Sequence, residues 1–236
     1  MTLPSVEAAA ASNAAWCDAV CGVHGAPGER FASHWQTRAP APPLYPNLVT
    51  LAAAVAPGQA AVRTLARELP RAGWAVKDSF ACLPLADEGF ELLFEAEWIA
   101  RASRDPAPAP PGRWRRVRSE PALAAWEAAW GESAGGPRIF RPALLEQPDI
   151  RFLAGVDEAG AIAAGIVAHR AGGGVGISNL FVRRGEPEWR AACLDAAAAA
   201  FPGRPLVGYE AGADLAAARA LGFASLGPLR VWRRAG

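Results

Sequence analysis

Three side chains that can ligate a soft metal ion lie within eight residues, at Cys17, Cys21 and His24. A structural zinc site takes four such ligands, usually in two closely spaced pairs, and no second pair follows in this sequence. Cysteines four residues apart on a helix are more often small buried hydrophobic residues. We therefore expect free thiols and no metal; the alternative is a zinc site that His34 or Cys82 completes from a distance.

The motifs of several large enzyme classes are missing from the sequence. It contains no nucleophile elbow, no P-loop, no dinucleotide fingerprint and no zinc-protease helix. The three glycines at 172–174 precede a predicted strand rather than a helix. They therefore predict a hairpin turn and not a phosphate-binding loop.

Composition and charge narrow the class of protein further. Of the 236 residues, 52% are apolar and 20% are charged, which is typical of a soluble globular protein, and the net charge of +1 gives no reason to expect nucleic acid or an anionic membrane as a partner. No apolar stretch is long enough to span a bilayer, and the N-terminus has no secretory pattern. We expect a cytoplasmic protein with reduced cysteines. The abundant alanine and the single lysine, Lys77, indicate a GC-rich bacterial genome.

A proline-rich segment divides the chain. Alternating prolines at 104–112 favour an extended segment without regular backbone hydrogen bonds, so they predict a linker between residues 1–103 and 113–236. In the first half we predict a helix over 6–23, a strand at 47–51, a helix over 59–69 that ends at Gly73, and a strand over 75–85. The pattern of residues 90–101 suits either a helix or a strand.

The second half shows a clearer order of elements. Strands are predicted at 114–118, 150–156, 161–170, 175–182 and 205–210, and helices at 121–130, 142–146, 188–200 and 213–221. A last strand or hairpin follows over 223–232. The order β-α-α-β-β-β-α-β-α-β predicts an α/β fold with a mixed sheet.

This order resembles the GNAT N-acetyltransferase family over about half of the chain. Three segments carry the resemblance: Gly160–Val167 is similar to the second and third strands, Ile177–Val182 to the fourth strand, and Ala217–Phe223 to the last helix and its Gly-Phe turn. The resemblance implies an N-acyltransferase that uses acetyl-CoA or another acyl-CoA and a small-molecule amine. A weak echo between the segments that begin at Pro46 and Pro205 suggests that the first half is a degenerate GNAT-like repeat.

The loop after the fourth strand departs from the family pattern. In the family, glycines here let backbone N–H groups approach the pyrophosphate at a helix N-terminus. The corresponding segment, 183–188, keeps only Gly185, while Pro187 lacks an N–H and Glu186 and Glu188 add negative charge. The resemblance assigns cofactor contacts to one set of residues: Leu180, Phe181, Val182, Arg183, Arg184 and Gly185. The alternatives are that the glutamates only stabilise the helix start and that the arginines are only solvated.

Three residues are candidates for the acid and base of the reaction. In the family, a tyrosine in the last helix often protonates the departing CoA thiolate, but Ala218 occupies that position here. Tyr209, at the end of the preceding strand, could substitute for it or could be a half-buried packing residue. Glu210 and His169 are the candidate general bases for the amine; the alternatives are a solvated strand end and an exposed loop histidine. A non-catalytic GNAT-like module that binds a small ligand or a partner protein is the opposing hypothesis. The sequence names neither the acyl acceptor, the acyl chain nor the oligomeric state.

Overall fold

The computed structural model describes residues 3–53, 63–64, 73–104, 113–131, 138–183 and 187–234. The chain forms two compact units. The N-terminal unit joins Ser5–Ile99 to Tyr209–Gly236, and the central unit joins Met1–Pro4 to Ala100–Gly208. Most of the predicted linker and of the predicted helix at 59–69 lies outside the described residues, so the predicted domain division stays a prediction.

The described residues form both helices and strands. The described α-helices are α1 (Val6–Val23), α2 (Glu120–Trp130), α3 (Pro187–Ala200) and α4 (Gly212–Ala220), and short 3-10 turns lie at Leu85–Glu88 and Pro142–Leu145. The described strands are β1 (Glu29–Arg30), β2 (His34–Gln36), β3 (Leu48–Thr50), β4 (Ala75–Asp78), β5 (Phe90–Arg101), β6 (Arg113–Arg116), β7 (Ile150–Val156), β8 (Ile162–Ala171), β9 (Gly174–Val182), β10 (Leu206–Glu210) and β11 (Ala224–Arg234). This confirms the predicted mixed α/β fold.

The N-terminal unit is a mixed sheet with α1 as its first element. The strand order is β1-β2-β3-β4-β11-β5; β3 and β4 are parallel, whereas β4 and β11 are antiparallel. Ser5 caps α1 by accepting a hydrogen bond from the Ala8 N–H. The core of this sheet contains a cluster of large apolar side chains: Leu48, Val76, Leu83, Leu85, Phe90 and Trp232.

The central unit is a meander of four antiparallel strands, β6-β7-β8-β9, with β10 added parallel to β9. Helix α2 begins as predicted, because the Ser119 side chain accepts from the Ala122 N–H and proline occupies the first turn. Its residue Trp126 is fully buried and donates its indole N–H to the Leu153 carbonyl at 2.9 Å. Trp126 is therefore the anchor that holds α2 on the sheet.

Some predicted elements have other limits in the structure. Strand β4 ends at Asp78 rather than continuing to residue 85, because the Asp78 carboxylate accepts from the Leu83 N–H at 2.8 Å and closes a turn. The ambiguous segment at 90–101 is one twelve-residue strand, and the C-terminal segment is a single strand rather than a hairpin. The short strands β1 and β2 were not predicted, since two or three residues are too few to show a period.

Candidate functional site

Strand β9 is interrupted by a β-bulge at Asn179. Gly165 of β8 pairs with Phe181 and Val167 pairs with Ser178, so two residues of β9 face one residue of β8. Asn179 has a φ of 52°, in the left-handed region that asparagine tolerates better than most side chains. The bulge therefore turns the backbone at the middle of the strand where the resemblance places the acyl-CoA arm.

The bulge coincides with the end of the pairing between β9 and β10. The parallel pairs are Leu206 with Val175 and Val207 with Gly176. Beyond Gly176, the described residues of β9 pair only with β8. All side chains from residue 177 to residue 182 are half-exposed, whereas those at 174–176 are buried. The second half of β9 thus offers one row of backbone amides that no described strand uses.

A buried acceptor lies in this segment. The Asn179 Oδ1 atom is buried and has no hydrogen-bond partner in the described part of the chain. A buried amide oxygen without a partner is costly, and an amide N–H is one of the donors that can satisfy it. The arrangement therefore fits a ligand that carries secondary amides, as the pantetheine arm of CoA does.

The Phe181 side chain, on the same strand, packs against Trp126. Its ring packs edge-on against Trp126, with 5.2 Å between centroids and an interplanar angle of 79°. Gly165 makes room for both rings, because a Cβ there would lie 2.5 Å from each of them. The half-exposed side chain of Phe181 thus packs against the aromatic core of the central unit. Leu180 and Val182 remain half-exposed on β9.

The predicted pyrophosphate loop is described only at its ends. The Arg183 side chain is exposed, and its N–H donates to the Ala163 carbonyl at 2.8 Å, which extends the β8–β9 ladder by one residue. Arg184 and Gly185 lie outside the described residues. Glu188 is exposed in the first turn of α3. Phosphate contacts by these residues stay predictions.

Tyr209 and Glu210 form the end of β10, and both are half-exposed. The Tyr209 ring contacts Trp98 edge-on at 5.6 Å, and the ammonium of Lys77 lies 4.2 Å from its centroid. The Tyr209 ring thus packs against an indole and an ammonium, and a catalytic role for its hydroxyl stays a prediction. His169 lies within β8, opposite Ile150 and Gly176, and is 4% exposed; it is a buried strand residue, not an exposed loop histidine.

All four cysteines are free thiols. Burial raises the pKa of Cys17 to about 11 and those of Cys21 and Cys193 to about 12. No group of three or more potential metal-ligating side chains occurs among the described residues. Within the same residues, no helix is both long enough and apolar enough to cross a membrane.

Comparison with solved structures identifies the fold of the chain. No protein-family model and no curated protein matches the sequence. Solved structures do match over nearly the whole chain. A GCN5-related N-acetyltransferase from Kribbella flavida superimposes with a TM-score of 0.57 and 15% identity over 96% of both chains. The chain has the GNAT fold. A GCN5-related N-acetyltransferase-like protein from Streptococcus suis (TM-score 0.54, 13% identity, 92% of this chain and 93% of that one) gives the same result.

A third GNAT structure, a GCN5-related N-acetyltransferase from Sphaerobacter thermophilus, matches with a TM-score of 0.50 and 15% identity over 98% of this chain and 96% of that one. Because these matches cover both halves of the chain, the GNAT likeness extends beyond the C-terminal half in which sequence motifs indicated it. Sequence reasoning missed two features of the site. The signal for the bulge is an asparagine inside a β-branched strand, and the signal for the contact at Tyr209 is the single lysine of the chain.

Proposed function

We propose that the chain is an N-acyltransferase that transfers an acetyl or other acyl group from CoA to a small-molecule amine. The observation that carries the proposal is the second half of β9, where the strand bulges at Asn179 and has no described strand partner on one side. The GNAT fold supports it, because the family resemblance implies a pantetheine arm beside this strand.

The backbone of β9 would hold the pantetheine arm as an added strand is held at a sheet edge. The unused amides after Gly176 supply donors and acceptors whatever the side chains are. The Asn179 Oδ1 atom supplies one further acceptor for an amide N–H. This mode of binding would hold acyl-CoA although the loop after β9 lacks most of the family's glycines.

Bound acyl-CoA would supply the thioester carbonyl that the amine nitrogen attacks. A new C–N bond forms, the C–S bond breaks, and the amine loses one proton while the thiolate gains one. We assign removal of the amine proton to Glu210 and delivery of a proton to the thiolate to Tyr209. Both side chains are half-exposed at the end of β10, where substrate and water can reach them.

The charges of the loop after β9 would lower the affinity for the pyrophosphate of acyl-CoA. Glu188 is exposed in the first turn of α3 and places negative charge where the family binds phosphate. Arg183 is exposed two residues before Gly185 and offsets part of that charge. Affinity for acyl-CoA thus depends mainly on the pantetheine arm.

The proposal is tested by turnover. Protein, acetyl-CoA and a mixture of primary amines are incubated, and both free CoA and acetylated amine are measured by mass spectrometry. The proposal expects both products to appear in equal amounts. Hydrolysis of acetyl-CoA without acetylated amine, or no reaction at all, would contradict it and would favour a non-catalytic binding module.

A substitution at Asn179 tests the binding mode separately. Asn179→Gly keeps the left-handed backbone but removes the carboxamide, so we expect the Kd for acetyl-CoA to rise about threefold to tenfold. Leu44→Gly is the matched control, because Leu44 also has a positive φ, 70°, and is 80% exposed. The control should leave the Kd unchanged.

A further inference from the structure

Ile177 lies at the point where β9 and β10 stop pairing. The last parallel pair joins Gly176 to Val207, and the next residues along the two strands are Ile177 and Gly208, both in the central unit. A Cβ added to Gly208 would lie 2.8 Å from the Ile177 Cγ1 atom and 3.4 Å from its Cδ1 atom. The Ile177 side chain therefore fills the space that the missing side chain at residue 208 leaves beside β10.

The core is closed on the paired side of Ile177. The side chains of Val175, Leu206 and Val207 are all buried there, and a close-packed core does not admit additional carbon atoms without strain. Ile177 itself is half-exposed. It is thus the side chain of β9 that a ligand lying along the strand would contact before the buried core begins.

The register of β8 and β9 gives the length of β9 that lies beyond its pairing with β10. Val182 pairs with Ala164 and Ile177 pairs with Ala168, so this part extends over the rise from residue 164 to residue 168 of β8, about 13 Å at about 3.3 Å per residue. A pantetheine arm has about twelve chain bonds between its phosphate oxygen and its sulfur, which equals about four extended residues and gives the same length. In the proposed binding mode the phosphate end lies at the loop after Val182, so the sulfur would lie beside Ile177.

The acyl group of the thioester continues beyond the sulfur. At about 1.1 Å per chain bond, an acetyl group extends the arm by about 2 Å and a butanoyl group by about 4 Å. The acetyl methyl would pack on the Ile177 side chain. A longer chain would collide with that side chain and then with the hydrogen-bonded pair of Gly176 and Val207.

We propose that Ile177 limits the length of the acyl group, so that the acyl donor is an acetyl thioester rather than a butanoyl or longer one. This inference rests on the proposed function, because it requires the pantetheine arm to lie along β9. Ile177 acts by excluding longer chains and takes no part in proton transfer.

Binding of S-acylpantetheines tests the proposal without turnover. The full-length protein is titrated calorimetrically with S-acetylpantetheine and with S-butanoylpantetheine, which differ only in the length of the acyl chain. A site that is too small by a methylene discriminates by about 10–200-fold, so we expect the wild type to bind the butanoyl compound about tenfold or more weakly. Ile177→Ala enlarges the space, and its two Kd values should differ by less than about threefold.

Ile162→Ala is the matched control. Ile162 is also a half-exposed isoleucine in a strand of the central unit, but it lies at the start of β8, beyond the pair of Ala164 and Val182. This variant should keep the wild-type ratio of the two Kd values. The unfolding midpoints of both variants, measured in parallel, check that the fold is retained.

The outcomes separate this proposal from the proposed function. Equal Kd values in the wild type, or a ratio that Ile177→Ala leaves unchanged, would overturn the role of Ile177 and leave the proposed function standing. Discrimination by a protein that acylates no amine in the turnover assay would support the role of Ile177 and refute only the proposed function. Binding of neither thioester would overturn both.

Discussion

The contact of Gly165 with Trp126 and Phe181 allows a worked prediction. A Cβ at Gly165 would lie 2.5 Å from the Trp126 Nε1 atom and 2.5 Å from the Phe181 ring. Contacts of this kind relax to roughly 3.5 Å or more, so in Gly165→Ala both rings must move by about 1 Å. Trp126 is fully buried, and the movement strains the hydrogen bond from its indole to the Leu153 carbonyl.

Two costs add in this variant. Overpacking of a dense core costs about 1–3 kcal/mol, and a buried indole N–H that loses its acceptor costs about 1–3 kcal/mol. We therefore expect Gly165→Ala to lower the free energy of unfolding by about 2–6 kcal/mol. Urea denaturation followed by tryptophan fluorescence measures the change.

The same substitution at Gly22 is the control. A Cβ at Gly22 would have no atom within 4 Å, and the residue lies inside α1. Gly22→Ala should therefore be neutral or stabilising by up to about 1 kcal/mol. The reasoning is refuted if Gly165→Ala destabilises the protein by less than about 0.5 kcal/mol, since the two rings would then not be in the close contact described.

Two further predictions concern titratable groups. Burial lowers the pKa of His34, so the unfolded chain takes up a proton at a higher pH than the folded protein does. The free energy of unfolding should therefore fall as the pH drops below about 6.5, by at most about 1.4 kcal/mol per pH unit, until the folded pKa is reached. Thermal melts at several pH values should show this slope in the wild type and a smaller one in His34→Gln, and equal slopes would contradict a buried neutral imidazole. At pH 8, a thiol reagent should modify Cys82 first in the native protein, because Cys17, Cys21 and Cys193 are buried with pKa values of about 11, 12 and 12; four equally fast thiols would contradict this packing.

Much of the central unit could be predicted from its sequence. The strand at 150–156 has the predicted limits, and α2 starts at the predicted cap, because periodicity and capping are local signals. Strand β4 was predicted too long, since the hydrogen bond from the Leu83 N–H to Asp78 that ends it depends on a side chain folding back on its own turn. The bulge at Asn179 also has no local period to reveal it.

The candidate site was predictable only in outline. The resemblance assigns the acyl-CoA arm to β9, which stays a prediction. The packing of the Phe181 side chain depends on Trp126, 55 positions away in the sequence. The contacts of Lys77 with Asn13 and Tyr209 join α1, β4 and β10, and such a meeting of distant segments follows from tertiary packing alone. In the sequence Lys77 indicates only codon usage, because the burial of its side chain is not visible there.

A calorimetric titration with acetyl-CoA tests the central claim most directly. In the proposed binding mode pantetheine pairs with β9 and Glu188 opposes the pyrophosphate. We therefore predict saturable one-to-one binding with a Kd of about 0.1 mM or somewhat weaker, equivalent to about −5.5 kcal/mol. S-acetylpantetheine, which lacks the pyrophosphate, should bind with a similar constant. No saturable heat at several millimolar acetyl-CoA would contradict the claim that β9 binds an acyl-CoA.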